Sequence, residues 1–128
     1  METRPTIALA DDDVVLADLV TAWLEHSGYD VVRFDSGDAI VAWAREAQVS
    51  VDAFLLDIDM PGLDGFESCR ALGEIPHFAG TPKLFVSSMP AEVLADRVAD
   101  AGGASLLRKD SNLLPRLTEW LGANLMPA

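Results

Sequence analysis

Short apolar runs alternate with longer amphipathic stretches along this chain, and each of four runs leads to a polar residue. Ile7-Ala8-Leu9-Ala10 stops at Asp11-Asp12, Ala53-Phe54-Leu55-Leu56 at Asp57, and Leu84-Phe85-Val86 at Ser87, while Leu106-Leu107 leads through Arg108 to Lys109. With Asp30 to Phe34 these runs predict five strands, because short apolar or β-branched runs bounded by turn residues read as strands.

The stretches between them carry helical spacing. Leu16, Leu19, Val20, Trp23 and Leu24 predict an amphipathic helix that Gly28 ends. Ser36 is placed to cap a second helix bearing Ala39, Ile40, Trp43 and Ala47. Met60 to Gly65 is dense in turn residues and predicts a loop, followed by a short helix through Phe66, Cys69 and Leu72. Gly80-Thr81-Pro82 precedes the fourth strand, Lys83 to Val86. Pro90 suits the first turn of a helix bearing Leu94, Val98 and Ala101, which Gly102-Gly103 stops. After a fifth strand near Ser105 to Arg108, the last helix runs through Leu114, Leu117 and Leu121, with Pro115 near its start.

Five strands alternating with five helices predict an α/β fold: a doubly wound parallel sheet with right-handed crossovers and strand order 2-1-3-4-5. A single domain over residues 1–128, with a core from about 5 to 125, is expected from a chain of this length. In such a sheet all four polar sites project from the carboxyl edge, where open α/β sheets bind ligands.

Composition narrows the partners. Nine basic against twenty-one acidic residues give a net charge of −12, which argues against direct binding to a nucleic-acid backbone. One cysteine, Cys69, cannot form an internal disulfide and fits a reducing compartment. No stretch approaches the roughly 20 apolar residues of a membrane span, and the opening Met-Glu-Thr-Arg-Pro lacks the apolar core of a signal peptide. A soluble, cytoplasmic protein is expected.

Carboxylates gathered in one crevice repel each other unless a cation is present, and Mg²⁺ suits oxygen ligands from one or two carboxylates, waters and a phosphate. Asp12 and Asp57 are the expected direct ligands, with a backbone carbonyl just after Asp57, and Asp11 would hold a metal-bound water. Asp57 is also placed to act as a nucleophile that forms an aspartyl phosphate, with Lys109 supplying a cation and Ser87 a hydroxyl donor. The competing reading of Asp11 to Asp13 is a helix cap favoured by the helix dipole. Trp23 and Trp43 are expected to be core or half-buried, Trp120 core or part of a partner surface. His26 and His77 lack metal-ligand spacing and receive no catalytic role.

These residues give the chain a resemblance to the receiver domain of two-component response regulators over nearly its whole length. The match runs through Ala10-Asp11-Asp12-Asp13, Leu55-Leu56-Asp57-Ile58-Asp59-Met60-Pro61-Gly62-Leu63-Asp64-Gly65, Val86-Ser87-Ser88, and Ala101-Gly102-Gly103 before Arg108-Lys109. The resemblance implies a flavodoxin-like, Mg²⁺-dependent domain that takes a phosphoryl group from a sensor histidine kinase or histidine phosphotransfer protein onto Asp57. It implies that Ser87 then moves toward that group, that Lys109 pairs with it, and that the face of the fourth helix, fifth strand and fifth helix changes its affinity for a protein target or an attached output domain. A homodimer through that face is compatible with the resemblance. Such a domain handles its own aspartyl phosphate and is not a turnover enzyme.

Three positions depart from the family pattern. Leu106 stands where an aromatic residue is usual, Asp110 follows Lys109 where many receivers have proline, and Asp59 adds a carboxylate two residues beyond the acceptor. Asp59 is therefore counted with the metal-site carboxylates, facing the phosphoryl group and the attacking water. Two alternatives stay open: a phosphorylation-independent interaction module, motivated by Leu106, and a haloacid-dehalogenase-like phosphatase, whose Asp-x-Asp motif Asp57-Ile58-Asp59 also matches.

Overall fold

The computed structural model describes residues 4–125. The outermost residues of the expected 1–128 span, and the first three of the Met-Glu-Thr-Arg-Pro opening, lie outside it. Five strands, β1 (Thr6–Ala10), β2 (Asp30–Phe34), β3 (Ala53–Asp57), β4 (Lys83–Ser87) and β5 (Ser105–Arg108), alternate with five helices, α1 (Val14–His26), α2 (Gly37–Glu46), α3 (Gly65–Gly73), α4 (Ala91–Asp100) and α5 (Leu113–Asn124). All pairings are parallel and the order is β2-β1-β3-β4-β5, as the alternation of runs predicts.

The pleat sorts the strand residues into two cores. Ala8, Ala10, Phe54, Leu56 and Phe85 pack with Ile40 and Val41 of α2, Phe66, Cys69 and Leu72 of α3, and Leu94 and Val98 of α4. Ile7, Leu9, Leu55, Leu84 and Val86 pack with Ala17, Val20 and Leu24 of α1 and Leu113, Leu117 and Leu121 of α5. Burial on both faces is why the central strands read as continuous apolar runs.

Local chemistry starts the helices where it was legible. Ser36 Oγ accepts the Ala39 N–H at 3.0 Å, and Asp64 and Glu67 form a reciprocal capping box on α3. A 3₁₀ turn over Pro76–Phe78 breaks the link from α3 to β4.

On α1 the structure corrects the expected buried stripe. Leu19 is 52% and Trp23 36% exposed, because the inward face is made by Ala17, Val20 and Leu24, with Leu16 packed half-buried beside them. Apolar residues on several sides of α1 let more than one stripe fit the spacing. Trp43 is half-buried against Phe34 and Phe78, as expected, and Trp120 packs partly buried on the second core. On α5 the inward position falls to Leu113, leaving Leu114 half-buried.

Candidate metal and acceptor site

Parallel pairing brings the ends of β1 and β3 side by side, with Ala10 opposite Leu56, so Asp11, Asp12 and Asp57 emerge together. Each offers a carboxylate oxygen within 4.8 Å of the others. Asp11 and Asp57 are buried, at 5% and 2% exposure, and Asp12 is exposed.

The acidic triplet divides its labour. Asp13 is the helix cap, its Oδ1 accepting the Leu16 N–H at 3.1 Å. Asp11 Oδ1 accepts the Asp13 N–H at 2.9 Å, which fixes the turn. The capping alternative thus holds for Asp13 and leaves Asp11 Oδ2 and the Asp12 carboxylate to the cluster.

Lys109 enters from beyond β5, held there because its own N–H donates to Ser87 O at 2.8 Å. Its Nζ lies 2.8 Å from Asp57 Oδ1 and 3.9 Å from Asp11 Oδ2. The contact with Asp57 is a short ion pair, in which the ammonium is the one cation that compensates that buried oxygen. Burial pushes the Asp57 carboxyl up to about 6, with repulsion from Asp11 adding to it and Lys109 opposing it. Burial also works against the Lys109 ammonium, yet Asp57 and Asp11 outweigh it and hold that group above its usual range. One cation among three carboxylates leaves the cluster short of positive charge.

Ser87 ends β4 at 1% exposure, with its Oγ accepting the Met89 N–H at 3.1 Å. Asp59 is exposed and its carboxylate is outside the three-carboxylate group. The strand has ended there, and Met60 N–H turns back to Ile58 O at 3.2 Å, carrying Asp59 around the bend. Ile58 O also accepts the Gly65 N–H at 3.0 Å, whereas the carbonyls of Asp59, Met60 and Pro61 accept no amide among the described bonds.

These observations fit a hard divalent ion such as Mg²⁺: a compact set of oxygen donors, two of them buried, and more negative charge than one lysine compensates. Sequence reasoning missed two neighbours. Arg33, 2.6 Å from Asp18, lines the hollow beside Asp11, and Asp38 reaches the loop after β3, its Oδ2 accepting the Leu63 N–H at 3.3 Å. A charged residue at the carboxyl end of β2 signalled the first, whereas no local pattern signals the second.

A model of the response regulator receiver domain matches residues 7–119. The DNA-binding dual master transcriptional regulator RpaA of Synechocystis is 35% identical over 85 residues, which cover 66% of this chain and 34% of that protein. This chain therefore spans about a third of the length of that relative. The chemotaxis protein CheY4 of Vibrio cholerae superposes with a TM-score of 0.87 at 24% identity, covering 96% of this chain and 100% of that one. The receiver domain of the sensor histidine kinase PA1611 from Pseudomonas aeruginosa, solved with a magnesium ion coordinated in the active site cleft, gives 0.85 at 23% identity, covering 96% and 98%. Asp57-Ile58-Asp59 follows the third strand of a 2-1-3-4-5 sheet, and the family model that matches is the receiver's, which does not support the dehalogenase-like alternative. The family match, the fold and the acidic cluster agree: this chain belongs to the response regulator receiver domains of two-component systems.

Proposed function

We propose that this domain accepts a phosphoryl group on Asp57 from a phosphohistidine in an Mg²⁺-dependent reaction and passes the signal on by protein contact. The observation that carries the reading is a buried Asp57 carboxylate held 2.8 Å from Lys109 and within 4.8 Å of the Asp11 and Asp12 carboxylates. Asp11, Asp12 and Asp57 would hold Mg²⁺, with a main-chain carbonyl just beyond Asp57, and the ion supplies charge neutralisation for the transferred oxygens.

In the transfer, a carboxylate oxygen of Asp57 attacks phosphorus and the P–N bond to the donor imidazole breaks. The imidazole nitrogen keeps the bonding electrons and takes a proton, and Asp57 becomes an acyl phosphate. Lys109, freed from its ion pair with the carboxylate, pairs with a phosphoryl oxygen, and Ser87 gives up its local bond and donates its hydroxyl hydrogen. Hydrolysis reverses the modification by water attack at phosphorus, with Asp59 on the exposed side where that water arrives. Movement of Ser87 and of the Lys109 backbone, which donates to Ser87 O, alters α4, β5 and α5 together. The donor is a sensor kinase or phosphotransfer protein, and the receiver is a protein target, an attached output domain or a second copy of the domain, all in the cytoplasm. No helix among the described residues is long and apolar enough to cross a membrane.

Leu106 favours a second reading. It is half-buried beside Phe85, its register partner, and no aromatic ring stands there to rotate. An interaction module that ignores phosphorylation would have this feature. Intact mass after incubation with acetyl phosphate separates the readings: one phosphoryl adduct that requires Mg²⁺ and disappears in Asp57→Asn is expected. An absence of adduct with acetyl phosphate and with a phosphohistidine donor would make the phosphorylation-independent module the better reading.

A further inference from the structure

We infer that Asp38, acting with Gly62, is a positioning residue that clamps the loop after the acceptor and thereby sets the affinity of the site for its divalent ion; this rests on the receiver reading above. The loop from Ile58 to Asp64 is anchored at its root. Ile58 N–H donates to Val86 O at 3.2 Å and Gly65 N–H to Ile58 O at 3.0 Å, and a Cβ on Gly65 would stand 2.6 Å from Asp57 O. The start of α3 is therefore pressed against the backbone of the acceptor strand.

The tip of the loop is held from a different element. Asp38, in the first turn of α2, accepts the Leu63 N–H at 3.3 Å through Oδ2, and that is the one described bond of the Leu63 amide. Gly62 makes the approach possible twice over: its φ of +74° suits glycine, and a Cβ there would overlap Asp38 Oδ2. Asp38 is not needed to cap its helix, because Ser36 Oγ already accepts the Ala39 N–H. Gly37 brings the same helix end in close, where a Cβ would overlap Ser68 Oγ and meet Leu63 O.

Between root and tip lies Asp59, whose carbonyl takes no amide among the described bonds. A loop tied at both ends holds the backbone that follows Asp57, with that carbonyl, in one conformation beside the carboxylate cluster's strand. A loop tied only at its root would have to be ordered by the ion, at the expense of affinity.

The test compares the wild type with Asp38→Ala, Asp38→Asn and Gly62→Ala by amide hydrogen exchange without metal and by calorimetric titration with Mg²⁺. Asp38→Ala is expected to speed exchange of the Leu63 amide by about three- to tenfold, the loss of one net hydrogen bond. It should also weaken Mg²⁺ binding by about three- to tenfold, because the ion must then order the loop that the lost hydrogen bond held. Asp38→Asn keeps an acceptor oxygen and should restore most of both, whereas Gly62→Ala should behave like Asp38→Ala. Unchanged Leu63 exchange and Mg²⁺ affinity in Asp38→Ala would overturn the inference, as would faster exchange spread through α2 and α3, the mark of a merely structural residue. Failure of the wild type to bind Mg²⁺ would refute the proposed function instead, and the metal-free exchange would still decide whether the clamp exists.

Discussion

Two lysines, one buried and one half-buried, stand at opposite ends of the sheet and are satisfied in opposite ways. Lys83, the first residue of β4, is 3% exposed, and its Nζ donates to Phe78 O at 2.9 Å and Thr81 O at 2.8 Å. Lys109, past the carboxyl end of β5, sits against the Asp57 and Asp11 carboxylates. Burial without a carboxylate partner holds Lys83 below its usual range, while two carboxylates hold Lys109 above it. A perturbed lysine is thus no sign of a site by itself. Carbonyl partners make Lys83 a strap on the 3₁₀ turn, and charged partners make Lys109 part of a reactive cluster.

Removing each cation in turn should separate the two lysines by stability without metal. Lys109→Ala leaves Asp57 and Asp11 uncompensated and should cost about 2–4 kcal/mol at pH 7.5, read by urea unfolding, close to the loss of one partner of a buried pair. It should also push the Asp57 carboxyl above its wild-type value of about 6, read by carboxyl NMR titration. A loss under about 0.5 kcal/mol, the range of an ordinary surface substitution, would make the contact incidental.

The pH dependence comes next. The Asp57 carboxyl titrates at about 6 in the fold against a reference of 3.8, so the folded state binds more protons between those values. Stability without metal should therefore fall as pH rises from about 4 to 6, and the penalty is fully present above 6, on the order of 2–3 kcal/mol at about 1.4 kcal/mol per unit. Asp57→Asn should remove that slope and melt higher than the wild type at pH 7.5. An unchanged slope in Asp57→Asn would place the burden on another group.

Lys83→Met sharpens the contrast from the other side. It removes a buried charge while keeping the apolar stem, and Phe78 O retains the Thr81 N–H at 3.1 Å. The change in stability should stay within about 1 kcal/mol, with Mg²⁺ binding and phosphorylation unaltered. The smallest stability effect belongs to Asp12→Asn, which relieves exposed repulsion by about 0.5 kcal/mol in a chelator while weakening Mg²⁺ binding. An unchanged Mg²⁺ affinity would remove Asp12 from the metal shell.

The same comparison shows what the sequence made legible. Lys109, Asp57, Asp11 and Ser87 were readable because each follows an apolar run that the sheet buries, and parallel pairing sends all such ends one way. Lys83 was readable only as the start of a strand, since its carbonyl partners lie in a 3₁₀ turn that no periodicity announces. The Asp64–Glu67 capping box follows a local pattern and could have been read directly. Asp38 could not, because its partner Leu63 lies 25 residues away and the contact exists only once α2 and the loop have packed. On α1, Leu19 and Trp23 were misplaced because a helix apolar on several sides does not specify its inward face.

If buried, under-compensated Asp57 binds the ion and presents the acceptor oxygen, a Mg²⁺ titration of the wild type at pH 5 and pH 7.5, beside Asp57→Asn, will show it. Binding is expected at pH 7.5, with marked weakening at pH 5, where the carboxyl pushed up to about 6 holds its proton, and weak binding in Asp57→Asn at both. Equal affinity at the two pH values, or an Asp57→Asn variant that binds as the wild type does, would contradict it.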